Sequence, residues 1–152
     1  MDRYILMVCY YLLLVCKDER EPMGRPKTGF RYLKNLSERY FAAWQERDPD
    51  AIARLHTVET QFWMHLGAEP VVGRSAVRQA FADVFQQFPD FTFEVNRVLY
   101  GDAHWVLDWV LINGDVRFDC LDVVAVSPDG LVARKDSFID TAQMTAAIGG
   151  RS

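Results

Sequence analysis

The chain has 152 residues, half of them hydrophobic and a quarter charged, with a formal net charge of −4 at neutral pH. That composition suits one soluble globular domain with an ordinary core, and its acidic balance leaves no electrostatic footprint for nucleic acid. Three cysteines without CxxC spacing, Cys9, Cys16 and Cys120, suit a reducing cytoplasm and argue against a metal site, so the expected partner is a small molecule or a protein.

The run from Tyr4 to Cys16 is continuously apolar, but it is shorter than the roughly 20 residues a helix needs to cross a bilayer, so no membrane attachment is expected. It lacks the flanks of a signal peptide. Pro22, Gly24, Pro26 and Gly29 read as a linker, which makes residues 1–29 an extension outside the domain and Met23 a candidate alternative start. Residues 150–152 form a tail.

Between residues 30 and 47, Leu33, Leu36, Tyr40, Phe41 and Trp44 recur at helical spacing with charged residues between them, predicting an amphipathic helix with an aromatic buried face. Asp48 is a candidate N-cap, with Pro49 opening a second short helix through Ala51, Ile52 and Leu55. Residues 62–66 read as a short strand, and residues 67–70 as a turn into Val71, Val72 and Gly73. Ser75 is expected to cap a third helix carrying Val77, Phe81, Val84, Phe85 and Phe88, stopped by Pro89 and Asp90.

From there the pattern alternates. Residues 91–100, 103–113, 116–126 and 131–139 are separated by Gly101-Asp102, Gly114-Asp115 and Ser127-Pro128-Asp129-Gly130, the mark of an antiparallel meander. Asp140 to Gln143 looks like a capping box for a last short helix ending at Gly149. The predicted fold class is α+β, with three N-terminal helices packed on a strongly curved, mostly antiparallel sheet and a short C-terminal helix, over residues 30–149.

Within residues 116–126, a period of two places Val116, Phe118, Cys120, Asp122, Val124 and Val126 on one face. Asp122 is the one carboxyl group there. A carboxyl group in apolar surroundings favours its neutral form unless a cation or several donors sit nearby, so Asp122 is either a hydrogen-bond donor in a cavity or half of a structural pair. On the preceding strand Trp105, Leu107 and Trp109 share a face, as either core or cavity wall. His104 and Asp108 lie on the opposite face. Arg117 with Asp119, and Arg134 with Asp136, read as solvated surface charges.

Three stretches carry a resemblance. They are Arg39-Tyr40-Phe41-Ala42-Ala43-Trp44 with Asp48-Pro49-Asp50-Ala51-Ile52, then Gly67 to Arg78, and Asp122-Val123-Val124 with Asp129-Gly130. Together with the element order, they resemble the SnoaL-like and ketosteroid-isomerase-like branch of the nuclear-transport-factor-2-like superfamily, whose fold is a cone. The resemblance covers roughly residues 36–144. It implies Tyr40 at the oxyanion-hole tyrosine and Asp122 at a protonated aspartic acid, the acid that ketosteroid isomerase itself keeps neutral through an apolar site.

Trp44, Met64, Trp105, Leu107, Trp109, Phe118 and Cys120 would then line a pocket for a small hydrophobic molecule, steroid-, polyketide- or terpenoid-like. The implied activity is a cofactor-independent, metal-independent isomerase or cyclase, in a homodimer joined by the outer sheet face. The chain departs from the pattern at Met64, which occupies the position of the general base, and a thioether accepts no proton at useful pH. His65 is the neighbouring candidate for that task, although adjacent strand residues point to opposite faces. A noncatalytic binding module that kept the pocket and lost the base is the alternative.

Overall fold

A computed structural model describes residues 29–149 of the chain. The apolar spacing read from the sequence forms helix α1 (Phe30–Gln45), which buries Leu33, Leu36, Tyr40, Ala43 and Trp44. The chain turns at Arg47, whose positive φ of 54° closes the corner. Asp48 then caps α2 (Pro49–Arg54), its Oδ1 accepting from the Asp50 and Ala51 backbone N–H groups at 2.9 Å each. Replacing Asp48 with Ala orphans both donors and should lower stability by about 1 kcal/mol, seen as a lower urea midpoint with an unchanged slope.

Strand β1 spans His56–Met64. It starts well before the residues 62–66 that the sequence pattern suggested, because its pairing with the last strand is irregular between His56 and Gln61 and interrupts the alternation. The two-residue strand β2 (Val71–Val72) pairs with it and leads to α3 (Arg74–Gln87). Ser75 is not the cap expected: the N-cap is Gly73, at φ 93°, without a side-chain hydrogen bond. Its backbone N–H is instead tied to the Thr60 carbonyl at 2.8 Å, which fixes the entry to the helix.

Strands β3 (Phe91–Tyr100), β4 (His104–Asn113), β5 (Val116–Val126) and β6 (Val132–Ile139) form the expected meander. The sheet order is β2-β1-β6-β5-β4-β3, antiparallel throughout except where β1 lies parallel to β6. The turn glycines Gly114 and Gly130 adopt φ of 61° and 78°, the left-handed region where a Cβ would be strained. A break in register between Val95 and Arg97 interrupts the long β3–β4 ladder, and such irregularities bend strands and increase twist.

The closing helix α4 (Thr141–Gly149) is capped by Asp140, which accepts from the Gln143 N–H at 2.9 Å. The capping box is half made. The Gln143 side chain turns to Asp119 on β5, accepting from its backbone N–H and donating to its carboxylate. Among the described residues no helix is long and apolar enough to cross a membrane. The expectations for residues 1–28 and 150–152 lie outside the described residues.

The core lies between the inner sheet face and the helices. Trp44 meets Phe81 edge-on at 4.9 Å, and Tyr40 meets Trp105 at 5.7 Å, so α1 is bolted to both α3 and the sheet through aromatic edges.

Candidate active site

Alternation along β5 holds at every position named: Val116, Phe118, Cys120, Asp122, Val124 and Val126 are all buried. The same period on β4 turns Trp105, Leu107, Trp109 and Leu111 inward. Helices α1 and α3 cover only part of this concave face. What remains is a hollow that opens to solvent. Its wall is mostly aromatic and aliphatic, with Tyr40, Trp44, Phe62, Met64, Leu107 and Trp109 among the lining residues.

Asp122 is on this wall, and it is paired, one of the two alternatives that its apolar face left open. Lys135 donates to Oδ2 and Ser137 to Oδ1, the latter at 2.7 Å. Both reach Asp122 from β6, where Ser137 stands opposite it in register and Lys135 opposite Val124. The side chains of Lys135 and Asp122 are only 5% and 4% exposed. The carboxyl group is therefore met by a cation and a hydroxyl donor, and both favour the charged form of a carboxylate. The ammonium also lies 5.4 Å from the centre of the Trp44 ring, a cation–π contact that helps to hold it in a dry site.

Tyr40 lines the same cavity, but its hydrogen-bond partner is not Asp122. Its hydroxyl lies 3.0 Å from His56 Nε2, and His56 Nδ1 lies 2.8 Å from Thr60 Oγ1. Thr60 in turn donates to the Ala133 carbonyl at 3.3 Å. Burial, with Lys135 and Arg74 nearby, pushes the His56 pKa down to about 3, so the ring is neutral at ordinary pH. Burial likewise holds the Tyr40 phenol well above its usual value, against a smaller opposing effect of Trp44.

The other residues singled out from the sequence divide by depth. Trp44, Met64, Leu107 and Trp109 reach the cavity wall. Trp105, Phe118 and Cys120 share the inner face but do not line it. Trp105 is fully buried against Tyr40 and Phe41, at the end of the sheet that α1 covers. Phe118 packs on Phe88. Burial first, then the Asp122 charge, pushes the Cys120 thiol up to about 12, which makes it an inert core group. Periodicity assigns a face; it does not say which part of that face a helix covers.

His65 is absent from the cavity. It bonds Asp136 Oδ1 at 2.8 Å and lies between the Trp63 ring at 3.9 Å and the Phe138 ring at 4.1 Å, beyond the end of β1 and on the outer side of the sheet. Met64 takes the inward position, as strand alternation requires. Arg134 and Asp136 do pair on that outer side, with Asp136 more buried than a solvated charge. Among the described residues, no cluster of three or more His, Cys, Asp or Glu is placed to hold a metal ion.

Sequence reasoning did not single out Lys135, Ser137, His56 or Thr60. For the first two a signal existed: if Arg134 and Asp136 face outward, Lys135 and Ser137 must face inward.

Helices seated on a bent, mostly antiparallel sheet that leaves a lined hollow define a cone of the nuclear-transport-factor-2-like type. The SnoaL-like domain model matches residues 37–135, most of the chain, and the protein belongs to that family. A candidate ketosteroid isomerase from Kribbella flavida is similar in structure, with 23% identity, a TM-score of 0.64 and coverage of 75% of this chain and 80% of its own. A SnoaL-like protein of unknown function from Burkholderia thailandensis gives 18%, 0.65, 73% and 97%. A candidate SnoaL-like polyketide cyclase from Shewanella denitrificans gives 11%, 0.67, 78% and 97%. At these identities the likeness carries the fold alone. No curated protein matches the chain.

Proposed function

We propose that the cone binds a small, largely apolar molecule carrying a carbonyl group, of steroid, polyketide or terpenoid type, and moves a proton on it as a cofactor-independent isomerase or cyclase. The observation that carries this reading is the Lys135–Asp122–Ser137 cluster set into the wall of an otherwise greasy cavity. A buried ion pair is weak in net stability, because desolvation offsets much of the attraction. Its presence beside a cavity therefore calls for a role other than holding the fold. The Asp122 carboxylate is the base available to take a proton from the carbon next to the carbonyl, and a Lys135 N–H is the donor available to polarise its oxygen. The cytoplasm and a homodimer through the outer sheet face belong to the same reading. Leu99, Leu121 and Phe138, all more than a third exposed on that face, favour the dimer.

Met64 favours the second reading, a noncatalytic binding module. One titration separates the two. With 2-tetralone in D₂O, the proton-transfer reading expects quenching of the tryptophans on the wall and exchange of the ketone's α-hydrogens faster than in buffer. Asp122→Asn should abolish the exchange. Quenching without exchange establishes the binding module, and no quenching at millimolar ligand removes the pocket reading altogether.

A further inference from the structure

The hydrogen-bond chain behind Tyr40 has a direction that its chemistry decides. A carbonyl only accepts, so the Ala133 oxygen takes the Thr60 proton, and the Thr60 oxygen is left to accept from His56 Nδ1–H. A neutral imidazole has one N–H, which leaves Nε2 bare and able to take the Tyr40 proton. Every donor along this chain of four residues then has an acceptor. In the reverse order the Tyr40 proton would lose its acceptor at His56 Nε2, and Ala133 would lose the Thr60 proton. For groups that are 0% to 2% exposed, each unmet donor or acceptor is costly. The chain also ends on a backbone carbonyl, which can pass no proton onward.

We infer that His56 is a positioning residue that takes the proton of Tyr40 and leaves its phenol oxygen as a hydrogen-bond acceptor toward the cavity, so that Tyr40 recognises a hydroxyl group on the ligand. This rests on the cavity being the ligand site and adds to it a ligand class: an apolar ring body bearing a hydroxyl as well as the carbonyl. It also removes Tyr40 from the oxyanion-donor role that the family resemblance implied and leaves that task to Lys135. The wall supplies a lone pair at Tyr40 and an ammonium at Lys135, so the two ligand oxygens are told apart by whether they carry a proton.

Two measurements test this. In the ligand-free wild-type protein, ¹⁵N spectra of the His56 ring should show Nδ1 protonated and Nε2 bare at pH 7; the opposite tautomer overturns the inference. For binding, 2-naphthol and 2-methoxynaphthalene share a ring body, but only the first can donate. Wild type should favour naphthol by about tenfold, the worth of one hydrogen bond of roughly 1.4 kcal/mol. His56→Phe frees the Tyr40 proton to meet the ether oxygen and should shrink that preference to about threefold or less. A preference unchanged in His56→Phe, or absent in wild type, overturns the inference while the pocket reading stands. If neither naphthalene binds, the pocket reading fails and the ligand class fails with it, whatever tautomer the spectra report.

Discussion

Lys135→Met should destabilise the protein by about 3–5 kcal/mol, because it leaves the Asp122 carboxylate desolvated, with the Ser137 hydroxyl still donating to it but no cation beside it. For a domain of this size the thermal midpoint should fall on the order of 10 °C. Pairing the change with Asp122→Leu should recover much of the loss, since removing both charges also removes the cost of burying them. The double-mutant cycle is the informative measurement: strong non-additivity shows the pair acting as a unit. Two single losses that simply add would contradict the contact. Because the double variant trades charge for hydrocarbon inside the cavity, a well-folded Lys135→Met/Asp122→Leu protein also gives the cleanest background for asking whether the pair moves protons.

Stability should fall as the pH drops from about 6.5 toward 3, at up to about 1.4 kcal/mol per pH unit, with His56 as the source. The folded state holds this ring near a pKa of 3 through burial, Lys135 and Arg74, whereas the unfolded chain binds its proton near 6.5. Within that window the unfolded state carries more protons, so acid favours unfolding, and the stabilisation present above pH 6.5 is lost on the way down. Between about pH 6.5 and 5 this amounts to about 2 kcal/mol. Denaturant midpoints across that range should slope in wild type and flatten in His56→Phe. The carboxylates held low by side-chain hydrogen bonds, Asp50 by Arg78, Glu94 by Arg117, Asp108 by Asn96 and then Arg97, and Asp136 by Arg134, lose their share only in more acid solution, so the two contributions separate by pH. A flat wild-type profile across the same range would contradict a buried neutral His56.

How much of this was legible in the sequence depended on whether each residue lay in an unbroken period. Strand β5 alternates without interruption, so its inner face, including Asp122, could be read residue by residue. Helix α1 carries Tyr40 and Trp44 on a regular stripe, and both reach the cavity. The first half of β1 breaks register between His56 and Gln61, and there the periodic signal disappeared along with His56 and Thr60. Lys135 was hidden differently: a lysine in an alternating strand looks like a surface residue until the burial of its neighbours is known, and here its partner is brought by another strand. Partnership across strands is a matter of register, which a single sequence constrains weakly. The choice between a lone donor and half of a pair at Asp122 stays open in the sequence for that reason.

The parallel pairing of β1 with β6 sets the order in which such a site can come into existence. His56 and Val132 are register partners though they lie at opposite ends of the folded chain, and Tyr40 must wait still longer for Lys135 and Ser137 to share its cavity. During synthesis the helices and β1 emerge first, with one edge of β1 unpaired, while the meander from β3 to β5 closes through local hairpins. Contacts between distant parts of a chain form slowly, because loop-closure entropy must be overcome before they stabilise anything. The last strand therefore works as a keystone: the nascent chain holds the hydrophobic hollow and Asp122 before it holds the Lys135 ammonium and Ser137 hydroxyl that complete the cluster.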